Sequence, residues 1–463
     1  MADDAGPAGG VSVMLRIRPR NAKEQEGDDC WSWSDDAIVE VGPSGNKRYA
    51  YDRCFAPGVG NREVYECCGK PVVAGALRGV NGTIFTYGQT GSGKTHSILG
   101  VPSDPGILQR TVADIFAAVD ERPDSNWTVR VSYMEVYNEE INDLLAAADG
   151  DDKRRGKNLK IVSDDPVKGA VIAGLSETAV EHATALLEVI RSGESARAYG
   201  STEMNDKSSR SHTICKLSID SEEIFEGDGD DDLSRRVVKR AACLSLVDLA
   251  GSERQKSTGA SGARLKEGSN INRSLLTLGR VINKLTEQAN RDQREKRREH
   301  RRSLAAAADR PPEKKPPARA SFHHGARHRA ASHGGDEVII PYRESKLTRI
   351  LKQSLGGNAR TTILCTMTTA PVHLDESLST LRFGQLCKLI KNAAQENVQM
   401  TDKMVAAGAA QESDMPNFKG SFLGRFPLVS ADFWTSDHLS ERPRSADAFS
   451  GTRARETLTL KRR

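Results

Sequence analysis

Gly88-Gln-Thr-Gly-Ser-Gly-Lys-Thr95 follows directly on the strand-like run Gly82-Thr-Ile-Phe-Thr-Tyr87 and leads into a helix-capable segment. A Gly-x4-Gly-Lys-Ser/Thr loop in that context binds phosphate, because successive backbone N–H groups wrap the anion and the helix N-terminus adds positive partial charge. Lys94 brings a mobile charge to the outer phosphates, and the hydroxyl of Thr95 reaches a magnesium ion. A Gly-rich surface turn would not need the strand before it. The chain therefore reads as a nucleotide-binding protein, with the loop at the C-terminal edge of a sheet strand.

Outward from the loop, strand-like runs recur at 11–17, 83–87, 128–136, 213–219, 241–249 and 361–368. Helical stretches alternate with them at 64–77, 109–119, 179–192, 270–288, 344–354 and 374–391. This alternation predicts an α/β fold: a central mixed, mostly parallel sheet flanked by helices on both faces, in a P-loop NTPase architecture. The 463 residues suffice for a large core. Hydrophobic content of 37% beside 28% charged residues points to a globular body carrying polar segments. Eight cysteines without Cys-x2-Cys spacing fit small buried thiols in a reducing compartment and no metal cluster. No apolar run approaches about 18 residues and the N-terminus lacks a leader pattern, so no membrane insertion is expected and the cytoplasm is the expected setting.

Three segments interrupt the body. Glu222–Asp232 is acidic and reads as a solvated hairpin loop. Ala289–Glu337 holds 13 Lys/Arg against 7 Asp/Glu with no aliphatic periodicity, and is expected to be a disordered basic insert. From Thr401 to Arg463 the composition suggests a disordered tail without heptads, so dimerisation is not supported by this chain. Residues 1–10, rich in Ala, Gly and Pro, read as a flexible N-terminus.

Two further motifs choose among phosphate-loop classes. Asn205-Asp-Lys-Ser-Ser-Arg-Ser-His212 is a dense set of hydroxyls with one Arg, and Asp248-Leu-Ala-Gly-Ser-Glu253 follows the apolar run Cys243-Leu-Ser-Leu-Val247. Ser209 can join Thr95 on a metal, Asp248 can hold a metal-bound water, and Gly251 can turn its N–H toward a γ-phosphate. Arg210 and Glu253 form a candidate pair closing the site around the attacking water.

With these motifs the sequence resembles the kinesin motor domain. Arg16-Ile-Arg-Pro19, Tyr133-Met-Glu-Val-Tyr-Asn-Glu139, Ile271-Asn-Arg-Ser-Leu275, Pro341-Tyr-Arg-Glu-Ser-Lys-Leu-Thr-Arg349 and Leu381-Arg-Phe-Gly384 occur in the family's order, so that 11–392 reads as the motor domain and 393–400 as a neck-linker-like segment. The resemblance implies a microtubule-stimulated ATPase of the cytoskeleton, using ATP and Mg2+, that moves toward the microtubule plus end. It also implies roles. Arg16, Arg18, Pro19 and His96 border the adenine; Gly88, Gln89, Thr90, Gly91, Ser92, Gly93, Lys94 and Thr95 hold the phosphates. Asn205, Ser208, Ser209 and Arg210 form the first switch and Asp248, Gly251 and Glu253 the second, with Thr95, Ser209 and, through water, Asp248 on the metal. Lys94, Ser208, Arg210, Gly251 and Glu253 are the expected catalytic set, the proton leaving through waters toward Glu253.

The helix starting near Ser269 resembles the relay helix that reports the nucleotide state, with Ile271, Leu275, Leu278, Ile282 and Leu285 as its buried stripe. Because microtubules are acidic, Arg254, Lys256, Arg264 and Lys266 beside the second switch, and Arg343, Lys346 and Arg349 after the insert, are the expected contacts. The insert's arginines would add an electrostatic tether. Residues 1–10 are poorly suited to form a cover strand on a docked linker. A non-motile, nucleotide-dependent microtubule-binding protein is the alternative. The switch and linker point to the centromere-associated branch of plant-type kinesins. No nucleic acid is expected, since no aromatic platform accompanies the basic run.

Overall fold

The computed structural model describes residues 10–24, 30–41, 46–146, 156–199, 209–226, 234–253, 263–308 and 338–404. Its centre is a ten-stranded sheet. In chain order the strands are β1 (Ser12–Arg18), β2 (Arg53–Phe55), β3 (Gly82–Tyr87), β4 (Asn126–Tyr137), β5 (Glu140–Asp143), β6 (Thr178–Val180), β7 (His212–Glu226), β8 (Ser234–Asp248), β9 (Arg360–Thr368) and β10 (Val398–Met404). The spatial order β5-β4-β7-β8-β3-β9-β1-β2 is parallel from β8 to β2 and antiparallel from β8 to β5; β6 pairs with β4 and β10 with β8.

Period-two alternation sends side chains to two cores. Val13, Leu15 and Ile17 of β1, Phe85 of β3 and Val247 of β8 join one, with α6 (Ala263–Ala308), α7 (Lys346–Ile350) and α8 (Leu374–Cys387). Met14, Ile84, Leu244 and Leu246 face the other, covered by α1 (Asn61–Cys68), α2 (Lys70–Ala76), α4 (Ile107–Asp120) and α5 (Ala183–Tyr199). The short α3 (Lys94–Ile98) follows the phosphate loop. The C-terminal ends of β1, β3, β8 and β9 lie at one edge, joined there by the start of antiparallel β7.

Several expectations are corrected. The helix expected over 64–77 is two helices broken at Gly69, where a Cβ would strike the Tyr65 ring and Pro71 follows at the start of the next helix. Residues 178–180 are not helix but the edge strand β6, and α5 starts only at Ala183. Glu222–Glu226 is not loop: it extends β7 against basic residues of β8, with Lys239–Glu222 at 2.8 Å and Arg240–Glu223 at 2.7 Å. Opposite charges directly across the ladder at Glu222–Lys239 and diagonally across it at Glu223–Arg240 make a strand of what composition alone presents as a solvated run.

The insert is not disordered throughout, because α6 runs on to Ala308. Residues 289–308 contain strong helix formers without proline, and Arg291–Glu295 and Asp292–Lys296 stand four apart with opposite charge. The rest of the insert lies outside the described residues. Beyond α8, strand β10 reaches four residues past the expected end of the linker. Gly10 bridges Lys391, while residues 1–9, the remainder of the cover-strand question, lie outside the described residues.

Candidate nucleotide-binding site

β3 delivers the loop Gly88–Thr95 to the sheet edge, and α3 begins at Lys94. Gly91 and Gly93 take left-handed φ values of 73° and 103°, which a side chain would strain. At Gly88 close approach decides: a Cβ would run into the carbonyl oxygen of Thr366 on β9. Lys94 is buried and folds its ammonium onto the loop's own carbonyls, 2.9 Å from Gly88 and 2.8 Å from Gln89. Burial lowers its pKa, opposed by the negative charges of Asp248 and Glu253. Phosphate oxygens can replace those carbonyls as acceptors without moving the backbone.

Asp248 ends β8 beside β3. Its Oδ2 accepts from Thr95 Oγ1 at 2.5 Å and its Oδ1 from Thr86 Oγ1 at 3.1 Å. A hydroxyl and a carboxylate held this close are hard oxygen donors, the set that fits a magnesium ion retaining several waters. Gly251 donates its N–H to the carbonyl of Ser209 at 2.9 Å, and Ser252 N–H donates to the carbonyl of Gly88 at 3.1 Å. Glu253 accepts from Thr90 N–H at 2.8 Å and from Thr90 Oγ1 at 2.5 Å. The loop after β8 therefore lies across the phosphate loop and meets the start of β7. A Cβ at residue 251 would overlap Thr90 Oγ1 and the Glu253 carboxylate, so any side chain there would push the Thr90–Glu253 bond aside.

Arg18 donates Nε to the Gly91 carbonyl at 2.6 Å and both terminal nitrogens to Glu24, at 2.6 and 2.5 Å. That bidentate bond holds the Glu24 carboxyl far down, at about 2, with further help from the Asn21 N–H and His373. Pro19 and His96 are exposed. Burial is the main cause lowering the His96 pKa, with the charge of Arg16 second.

Three residues of the expected site have partners the sequence did not show. Arg16 is 8% exposed, and its guanidinium donates to Asn61 Oδ1 (2.6 Å), Ser97 Oγ (2.8 Å) and the Val59 carbonyl (2.9 Å), bracing α3 against α1. Glu253 accepts from Thr90 through both its N–H and its hydroxyl. Arg349 turns to Ile161 O (3.4 Å) and Asp164 (3.9 Å) of the neighbouring Lys160–Asp165 strand, whereas Arg343 is exposed and Lys346 half-buried. Asn205, Ser208, Arg254 and Lys256 lie outside the described residues, as do the side chains of Arg264 and Lys266.

Sequence reasoning missed two residues. Glu24 gave no local signal, being tied to Arg18 and to Thr368 across 344 positions. His212 closed a motif but had no visible partner; it bridges Ala250 N–H and Ser274 Oγ.

A strand, a phosphate loop and a helix, with the carboxylate ending a neighbouring strand on the loop's Thr and the loop after that strand stitched over it, define a P-loop nucleotide-binding protein. Comparison carries the assignment further: the family model of the kinesin motor domain matches residues 16–390, and the chain belongs to the kinesin motor domain family. Relatives include kinesin-like protein KIN-7O of Arabidopsis thaliana, 38% identical over 392 residues, and centromere-associated protein E of Homo sapiens, 39% identical over 399 residues. Each alignment takes in 85% of this chain but only 26% and 12% of the respective relative, so the chain spans a minor part of their length. Among solved structures, a KIF14 dimer carrying AMP-PNP in complex with a microtubule is 33% identical, with a TM-score of 0.66 over 84% of this chain and 96% of that one. A structure described as a fast kinesin is 32% identical with a TM-score of 0.64, covering 89% and 99%.

Proposed function

We propose that the chain is a microtubule-binding motor ATPase that couples ATP hydrolysis to plus-end-directed movement. The observation that carries this reading is the convergence on one loop: Thr95 on Asp248, Ser252 on Gly88, and Thr90 on Glu253, with Gly251 next to it held by Ser209. The loop after β8 thereby lies over the phosphate loop and meets Ser209, at the start of β7, beside the place where a terminal phosphate would sit. Lys94, Ser92–Gly93 and the α3 N-terminus bind and orient the phosphates, and Gly251 offers its N–H to the terminal one. Glu253, released from Thr90, holds the attacking water's proton route, with Ser208 and Arg210 completing the pocket. Thr95, Ser209 and Asp248 would hold Mg2+, which when bound neutralises charge on the outer phosphates.

The basic set read as track contacts is Arg343, Lys346 and Arg349 with Arg254, Lys256, Arg264 and Lys266. The helical part of the insert extends it: Arg291, Arg294, Arg298 and Arg301 recur at three- and four-residue spacing on exposed α6, a stripe suited to an acidic polymer. The working unit is 11–392 with its linker, and a cytoskeletal setting follows from the partner. ATP turnover with and without microtubules, beside Lys94→Ala, tests the proposal. Stimulation lost in Lys94→Ala supports it; turnover indifferent to microtubules overturns it. The non-motile alternative is separated by a gliding assay, and the seven-pair ladder of β10 on β8 favours mechanical output.

A further inference from the structure

His212 opens β7 immediately after the first switch, 2% exposed, with its two ring nitrogens on different elements. Nδ1 accepts from Ala250 N–H at 2.9 Å, in the loop after β8. Nε2 lies 2.8 Å from Ser274 Oγ on α6. Since Ala250 donates to Nδ1, the ring proton sits on Nε2 and is donated to Ser274. The neutral form is enforced: burial, then the charges of Lys94 on α3 and Arg197 on α5, push the ring down to about 3.

We infer that His212 is a positioning residue that ties the second switch to the relay helix through two hydrogen bonds, Ala250 to His212 to Ser274. Ala250 immediately precedes Gly251, whose N–H bonds Ser209 and is offered to the terminal phosphate, so a shift of that peptide pulls directly on the imidazole. Ser274 lies one turn before Leu278, which with Val281, Ile282 and Leu285 seats α6 on the sheet. An imidazole suits this place because it accepts at one end and donates at the other across a dry gap; a Ser or Asn reaches only one partner.

The inference rests on the motor reading above, and the test separates the two. Two variants cut the link at opposite ends: His212→Asn, whose side-chain oxygen still accepts from Ala250, and Ser274→Ala, which leaves Ala250 untouched. Each is expected to keep basal ATP turnover within about twofold while microtubule stimulation falls about tenfold, and the double variant to be no worse than the worse single. A purely structural role would move thermal stability and leave the stimulated-to-basal ratio intact. A second readout needs no track: hydrogen exchange of 275–285 in ADP against AMP-PNP should differ in the parent chain, and that difference should vanish in both variants. Variants that keep the exchange difference overturn the inference. A parent chain that shows the exchange difference without microtubule stimulation overturns the motor reading and leaves the link standing.

Discussion

Gly88 admits no side chain, because the backbone carbonyl of Thr366 occupies the place of its Cβ. Gly88→Ala must displace either β9 or the phosphate loop, so we expect nucleotide binding weakened at least about tenfold and a loss of about 1–3 kcal/mol of stability, read by analogue titration and thermal melting. The Arg18–Glu24 clamp makes a pH prediction. Glu24 titrates at about 2 in the fold against its ordinary 4.5. Its stabilisation is thus complete above about 4.5 and disappears as pH falls through about 2. Glu24→Gln should flatten the stability profile in that window and leave neutral-pH unfolding only modestly changed; a profile as steep as the parent's would dismiss the clamp. Legibility at this scale depended on distance along the chain. Lys94 and Thr95 were readable because spacing within one loop states their chemistry. The burial of Arg16, the Thr90–Glu253 bond and the His212 bridge were not, since each depends on contacts 38 to 163 positions away.

Elements with apolar alternation were legible, and those whose stability comes from charge pairing were not. β1, β3 and β9 stood within a residue of their expected limits because burial on both faces makes each a short β-branched, largely apolar run with clear ends. The distal β7–β8 hairpin and the extension of α6 are polar, and composition without register makes them loops. The helical extension has a measurable consequence. Deleting 290–335 should lower the helical circular dichroism signal, which removal of unstructured chain would not do. It should also weaken microtubule affinity chiefly at low salt, where a Debye length near 30 Å at 0.01 M leaves the arginine stripe unscreened. Equal affinity and equal salt slope in the two proteins would end the tether idea, whatever the dichroism shows.

At the scale of the whole molecule, both outputs of the site leave from the same sheet. The phosphate loop lies at one edge of the strands, and β10 docks along the distal half of β8, whose C-terminal residue is Asp248. The chain between α8 and β10 is fixed at Asn397: its N–H and Nδ2 both donate to the Gly79 carbonyl at 2.9 Å, and Nδ2 reaches the Ala241 carbonyl at 3.1 Å. Its Oδ1 accepts from Asn358 Nδ2 at 3.1 Å, and its own carbonyl accepts from Ala241 N–H at 3.1 Å. One side chain thus gathers the turn before β3, the middle of β8 and the segment after α7 at the point where β10 begins. Asn397→Ala removes the side-chain bonds while leaving the backbone pair, a loss of about 1–3 kcal/mol confined to docking of the last strand. Exchange of the Val398–Met404 amides should accelerate by about tenfold or more with the core's melting temperature almost unchanged, because among the described residues Asn397 is the side chain that ties the start of this ladder to three other segments. In a gliding assay the same variant should move more slowly at equal ATP turnover, since the nucleotide site is untouched and only the docked strand is loosened. Unaltered exchange in 398–404 would show that the β8 ladder alone holds the strand and that Asn397 is not its latch.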